Sequence, residues 1–333
     1  MSHSHPKTFS VLTKLATQNQ VELHALNVDS LLQDLCVRIR LILASSDAFS
    51  RIEIDIPKSL NDNSGNVKRI SNCFSFWIPL CLQILDRRRY SFSLNLNASD
   101  WGHADFLSMT SPDQNNIIPD EYAMFESQRL KNFRGWSSFD EFSKTWLSRK
   151  NIVFWRGSTT GNPITSIQTL NQMKRVQVSL LYKNNVGFDI RISNIVENKI
   201  PKQIIRQWLQ QKAIYGGKVR EDKFRNFKYY PDIPGNNAMC GSWGTIRKHL
   251  RGNLVFKPNH ESKMYYDQLM EPWNNFIPVD SDFLELDELY SWAERNQKDA
   301  LRIAWSGHCI AKDYLRNIDN LFINTALRKL EKL

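Results

Sequence analysis

No stretch of this chain is apolar for long enough to cross a bilayer. No Cys-x-x-Cys pair occurs, and the five cysteines (Cys36, Cys73, Cys81, Cys240, Cys309) are odd in number and scattered. A disulfide framework or a structural zinc is therefore not what holds the fold, and a reducing compartment is expected. The histidines His24, His103, His249, His260 and His308 show neither His-x-x-x-His nor His-Glu-x-x-His spacing, so no metal site is expected. Long Lys/Arg blocks are missing too. The densest cluster, Arg87-Arg88-Arg89, is too short for a nucleic-acid arm. Neither a Walker loop nor a Gly-x-Gly-x-x-Gly fingerprint is present. The opening residues, Met1 to Pro6, lack the apolar core of a signal peptide. These absences set the expectation of a cytoplasmic protein that touches a membrane, if at all, only at the periphery.

What is present is material for a large core. The chain has 333 residues, 41% hydrophobic and 11% aromatic, more than one hydrophobic core needs and comfortable for two lobes. A net charge of +10 attracts anions, whether nucleic acid, lipid headgroups or phosphate-bearing small molecules, and speaks to partners rather than to fold.

Along the chain, Leu31, Leu32, Leu35, Ile39 and Ile42 fall on one helical face, predicting a helix over Val28 to Leu43. Arg51 to Ile56 alternates as a half-buried strand should, and Phe74 to Leu85 reads as a buried helix that Pro79 kinks or opens. Tyr90, Phe92, Leu94 and Leu96 alternate with Ser and Asn up to Asp100-Trp101-Gly102. Ile152 to Trp155 is a continuous apolar run, as in a strand buried on both faces, and Asn253 to Phe256 and Asn275 to Val279 are further short strands. Helices are predicted over Lys202 to Gln211, Leu284 to Arg295, Ala300 to Leu315 and Tyr314 to Leu330. This alternation predicts an α/β fold of two doubly wound lobes, residues 1–150 and 151–312, followed by a C-terminal helix at 313–333.

Three segments carry candidate chemistry. The Ile152 strand runs into Arg156-Gly157-Ser158-Thr159-Thr160-Gly161, a cation, hydroxyls and small residues suited to a phosphate. A second small-residue loop, Asp232 to Gly244, leads into a helical Thr245 to Leu250, and a helix opened by Gly-Ser offers amides to an anion. Asp280-Ser281-Asp282 matches a metal-binding Asp-x-Asp pattern, but it precedes a helix, where Asp caps orphan amides.

Taken together, from Leu94 to about Leu315, these pieces resemble glycosyltransferase family 90. The resemblance runs through Asn97-Ala98-Ser99-Asp100, Ile118-Pro119-Asp120 and Phe154-Trp155-Arg156-Gly157-Ser158. It continues with Arg175, Lys228-Tyr229-Tyr230, Gly235-Asn236, Gly241-Ser242 and Leu254-Val255-Phe256-Lys257. It closes with Tyr265 to Leu269, Pro272-Trp273 and Ile277-Pro278-Val279. The resemblance implies a GT-B architecture of two Rossmann-like lobes with a cleft between them. It also implies inverting, metal-independent transfer of a hexose or pentose, glucose or xylose, from a UDP-sugar co-substrate. It puts Asp100 in the place of the catalytic base. Arg156, Gly157, Ser158, Thr159, Arg175, Cys240, Gly241, Ser242 and Trp243 fall at nucleotide-sugar contacts. One position departs from the pattern: where several relatives carry Arg two residues after the loop serine, this chain has Gly244, so either Arg247, one turn on, or Arg175 with helix-end amides must serve. The implied acceptor is lipopolysaccharide or another surface glycan, lipid-linked and met at an anionic membrane. A protein O-glycosyltransferase is the alternative. From another class, a basic nucleic-acid-binding protein with a degenerate enzyme fold lacks any recognised nucleic-acid module.

Overall fold

In the computed structural model, residues 22–29, 35–43, 50–57, 64–99, 102, 105–130, 133, 135–235 and 241–332 are described. The chain divides into two compact units, residues 1–125 with 317–333, and residues 126–316. The division thus falls after Phe125 rather than at residue 150.

The first unit is built on strands β1 (Glu22–Asp29), β2 (Cys36–Leu43) and β3 (Ser50–Pro57), helix α1 (Ser64–Arg88), and strands β4 (Phe92–Asn97) and β5 (Leu107–Ser108). Their order in the sheet is β1-β3-β2-β4-β5. Strand β2 replaces the helix expected over Val28 to Leu43. The same residues carry a period of two as well as a helical one: Val37, Ile39 and Leu41 are buried, while Arg38 and Arg40 lie on the other face. Pairing decides between the two patterns. Arg40 donates to Glu53 at 2.9 Å and to Asp55 at 2.7 and 2.8 Å across the strand pair, and the Arg38 Nε donates to Asn95 at 3.0 Å. No helix could present those charges to both neighbours at once.

This sheet is mixed rather than purely parallel. Strand β2 runs antiparallel to both β3 and β4, while β1–β3 and β4–β5 are parallel. Six residues separate β2 from β3, too few for the crossover a parallel pair requires. In α1, Phe74, Trp77, Cys81 and Ile84 are buried, and Pro79 lies inside the helix rather than at its start.

The second unit is the doubly wound part. After α2 (Glu121–Leu130), which spans the division, come α3 (Phe139–Leu147), β6 (Lys150–Ser158), α4 (Lys174–Tyr182), β7 (Phe188–Asn194) and α5 (Lys202–Gln211). They are followed by β8 (Phe227–Pro231), α6 (Thr245–Leu250), β9 (Leu254–Pro258), β10 (Ile277–Val279), α7 (Leu286–Arg295) and α8 (Gln297–Leu330), whose residues from Asn317 on belong to the first unit. The sheet order is β10-β9-β8-β6-β7, and every adjacent pair is parallel. The two helices expected over Ala300–Leu315 and Tyr314–Leu330 are one continuous helix, α8. Trp146, Trp155, Tyr229, Phe256 and Phe283 are fully buried in this unit's core. Because all five strands run the same way, their carboxyl ends share one edge, the place where open α/β sheets bind ligands.

Ile39 is fully buried on β2 between two antiparallel partners. Ile39→Ala is expected to cost about 2–5 kcal/mol of unfolding free energy, read by urea denaturation; a loss below 1 kcal/mol would argue for the helical alternative.

Candidate functional site at the carboxyl edge of the parallel sheet

Strand β6 is apolar through Val153, Phe154 and Trp155, all buried, and delivers the polar residues Arg156 and Ser158 at its carboxyl end. Those residues divide by task. Arg156 turns away from the strand-end turn: its guanidinium pairs with Asp189 of β7 at 2.7 Å and donates to the Trp155 and Asp189 carbonyls, each at 2.8 Å. Thr159 is fully buried, and its hydroxyl is exchanged with the backbone of Val196, donating to the carbonyl at 3.1 Å and accepting from the amide at 3.0 Å. Both residues therefore lock β6 to β7. Gly157 is required by its neighbour, since a Cβ there would stand 2.3 Å from the Trp155 ring. Ser158 is half-buried, its carbonyl taken by Arg175, and its hydroxyl makes no hydrogen bond among the described residues.

Arg175 sits in the first turn of α4 and reaches back over this edge. It donates through Nε to the Pro234 carbonyl at 3.0 Å and through Nη2 to the Ile233 carbonyl at 3.4 Å. Nη1 donates to the Ser158 carbonyl at 3.0 Å and to the Thr160 hydroxyl. Four of the five N–H donors of a guanidinium are thereby used, and they tie the turn after β6 to the turn after β8. Burial pushes the Arg175 pKa below its ordinary value, and the nearby Tyr230, Asp232 and Glu197 oppose that shift.

The second loop folds around a carboxylate. Asp232 follows β8 directly and is fully buried. Its Oδ1 accepts from the Ser242 amide at 2.9 Å and from the Thr245 hydroxyl at 2.5 Å, and its Oδ2 faces the Lys257 ammonium at 3.5 Å. Lys257 also pairs with Asp267 at 3.2 Å. Gly241 lies against this group so closely that a Cβ would stand 2.4 Å from Asp232 Oδ2 and 3.0 Å from Lys257 Nζ. The Ser242 amide, expected to be offered to an outside anion, is thus bound to the protein's own carboxylate. Trp243 is half-buried beside it. Asp100 and Cys240 lie outside the described residues.

Gly244 is the position that departs from the family pattern. A Cβ placed there would stand 3.4 Å from Arg247 Nη2, so the Arg247 guanidinium lies back over the glycine from α6. In the Asp280-Ser281-Asp282 segment, Asp280 accepts from the amides of Asp282, Leu284 and Glu285 at 2.6 to 3.1 Å; these bonds close the turn ahead of α7, whose N-cap residue Glu285 makes no side-chain cap bond, so the expected helix cap is a turn clasp instead. Asp282 pairs with Lys174.

Asp232, Lys257 and His249 belong to this edge although no motif marked them as site residues. A lysine closing the apolar run Leu254-Val255-Phe256 was the available signal, because a charge in a buried strand needs a buried partner. His249 is fully buried, and among the described residues neither ring nitrogen has a hydrogen-bond partner. Burial lowers its pKa from 6.5 to about 3. His308 is likewise lowered to about 4, mainly by burial, with its Nδ1 2.7 Å from the Leu250 carbonyl.

The fold and this edge define an α/β protein whose second unit carries its polar groups at strand ends. Residues 130–321 match the family model described as Glycosyl transferase family 90, more than half of the chain, and the chain belongs to that family. It is 26% identical over 226 residues to protein O-glucosyltransferase 2 of Danio rerio, covering 64% of this chain and 39% of that protein. It is 26% identical over 190 residues to the O-glucosyltransferase rumi of Drosophila melanogaster, covering 56% and 41%. An uncharacterized protein of Frog virus 3 is 23% identical over 175 residues, covering 49% and 18%. The chain therefore spans less than half the length of these relatives. Among solved structures, the C-terminal domain of a glycosyl transferase group 1 family protein from Francisella tularensis overlays at 12% identity and a TM-score of 0.33, over 55% of this chain and 96% of that one. That likeness is too weak to carry an argument.

The two buried imidazoles set an acid limit. The unfolded chain binds protons at His249 and His308 near pH 6.5, whereas the folded chain resists until about pH 3 and about pH 4. The stability contributed by the neutral rings is present above pH 6.5 and is lost as pH falls toward the folded values. Urea unfolding should show stability declining between pH 6.5 and 4 by on the order of several kcal/mol, and His249→Gln should flatten that slope. An unchanged slope in the variant would rule out His249 as a source.

Proposed function

We propose that this chain is an inverting glycosyltransferase that moves a hexose or pentose from a UDP-sugar to an acceptor hydroxyl without a metal cofactor. The observation that carries this reading is the family match over residues 130–321, which coincides with the unit whose parallel sheet gathers Ser158, Arg175 and the 241–245 loop at its carboxyl edge. In this reading the donor diphosphate lies against that edge. Ser158 supplies a hydroxyl with no other hydrogen bond among the described residues, Arg175 supplies the one N–H uncommitted among them together with its charge, and Arg247 stands in for the arginine that Gly244 replaces. Asp232 acts one step back, holding the Ser242 amide and Gly241 in place. Arg156 and Thr159 serve as a rigid base for the turn.

Asp100 is proposed as the base that takes the proton from the acceptor hydroxyl as that oxygen attacks the anomeric carbon opposite the departing diphosphate. The positive charge of the chain suits a lipid-linked, anionic glycan acceptor in the cytoplasm, lipopolysaccharide among them. A second reading, transfer to a protein hydroxyl with glucose as the sugar, is favoured by the names of the Danio rerio and Drosophila relatives.

The test is hydrolysis or transfer from UDP-glucose and UDP-xylose with chelator present, offering lipid-linked glycan and folded-protein acceptors in parallel. Activity should survive chelation, and Asp100→Asn should lower kcat by about 10²–10⁴-fold with donor binding kept. A strict manganese requirement, or full turnover in Asp100→Asn, would refute the mechanism. Arg247→Ala should raise the donor KM by about tenfold or more through loss of a charged hydrogen bond. An unchanged KM would return that role to Arg175.

A further inference from the structure

The first unit contains a cavity of about 260 Å³ lined by Asp113, Asn115, Asn116, Arg328, Lys329 and Lys332. Cations in the last turns of a helix are ordinary, because the carbonyl end of the helix favours them. Here, however, they surround a cavity whose one carboxylate is already occupied. Asp113 caps the turn at Gln114–Asn116: its Oδ1 accepts from the Asn115 amide at 3.0 Å and from Asn115 Nδ2 at 3.1 Å, and its Oδ2 accepts from Asn116 Nδ2 at 2.8 Å. Its oxygens face its own turn and not the lysines. Lys329 donates to Asn116 Oδ1 at 2.9 Å, which leaves two of its three N–H groups, and Arg328 donates through Nη2 to the Thr325 hydroxyl at 3.2 Å. Among the described residues none of Arg328, Lys329 and Lys332 has an ion-pair partner. Three cations against one carboxylate leave the cavity with a formal charge of +2.

We infer that this cavity binds a phosphate group. A guanidinium fork and two ammonium groups match the acceptor oxygens of a phosphomonoester or phosphodiester. Asn115 and Asn116 each spend a side-chain N–H on Asp113, which leaves charge as the main source of selectivity. The volume equals roughly nine waters of ~30 Å³ each, room for a phosphate with a small substituent such as glycerol, and too little for a nucleotide sugar. The site shares no residue with the carboxyl edge of the parallel sheet, and it stands whether or not the transferase reading does. Its phosphate could be carried by a soluble ester or by a lipid headgroup.

Lysine acylation followed by mass spectrometry on the full chain tests this directly. The probes are inorganic phosphate, glycerol phosphate, and phosphatidylserine vesicles with pure phosphatidylcholine vesicles as control. At a ligand concentration about four times Kd, mass action leaves about one fifth of the sites empty, so acylation of Lys329 and Lys332 should slow about fivefold. The exposed Lys183 and Lys212 of the second unit should be unaffected. Arg328→Gln, on an exposed side chain, should weaken the protection while leaving thermal unfolding unchanged. Protection by soluble phosphate alone assigns a soluble ester, and protection by phosphatidylserine vesicles assigns a headgroup. Protection by none of the probes, or equal protection at Lys183 and Lys212, overturns the inference.

Discussion

A carboxylate with no access to water organises the carboxyl edge of the second unit's parallel sheet. Asp232 is fully buried at the end of β8, and an unpaired charge in such a place costs several kcal/mol. Its surroundings follow from that cost. An amide and a hydroxyl from the 241–245 loop, together with an ammonium from β9, close on its two oxygens. The loop cannot drift from the sheet without exposing the carboxylate or leaving it unpaired. Gly241 is the steric consequence, because a side chain there would displace either Asp232 or Lys257. A second carboxylate, Asp267, shares the lysine and joins the segment after β9 to the same group.

Arg175 applies the same logic with opposite sign. Its buried guanidinium is held almost wholly by carbonyl oxygens and a hydroxyl rather than by a carboxylate. Carbonyls satisfy the donors without cancelling the charge, so the field of the cation survives at the strand ends. A carboxylate in the same position would have neutralised it. The arrangement serves both rigidity, by tying the turns after β6 and β8, and electrostatics, by keeping a positive group with no direct ion-pair partner among the described residues beside the half-buried Ser158. Arg156 is the contrasting case. One residue before Gly157, it is paired with Asp189 and is spent on the sheet.

Much of this was legible in the sequence. The alternation of Arg51 to Ile56 and of Phe92 to Leu96, the apolar run before Arg156, and α5 and α6 all have the expected type, because one periodicity dominates in each. Asp280 was legible as a residue that satisfies backbone amides, but its bonds go to the turn before α7 and not to the helix's own first amides. Strand β2 was not, because its residues satisfy two periods at once and only the charged partners on β3 and β4 choose between them. Strands β7 and β8 were also missed: Phe188 to Asn194 mixes charged and apolar residues, and β8 opens with Phe227-Lys228, which looks amphipathic outside the sheet.

The sequence by itself determined the α/β class, the strand-end position of the Arg-Gly-Ser-Thr turn and the family to which the chain belongs, because these rest on local periodicity and on the order of short motifs. Tertiary structure alone decided what each polar residue does. Arg156 and Arg175 are both arginines near one turn, yet one pairs with a carboxylate on the neighbouring strand and the other lies among carbonyls. Asp232 finds Ser242 and Thr245 on the next loop and Lys257 on the next strand. Which partner a charge finds depends on residues brought together from distant parts of the chain, and no local pattern records that meeting.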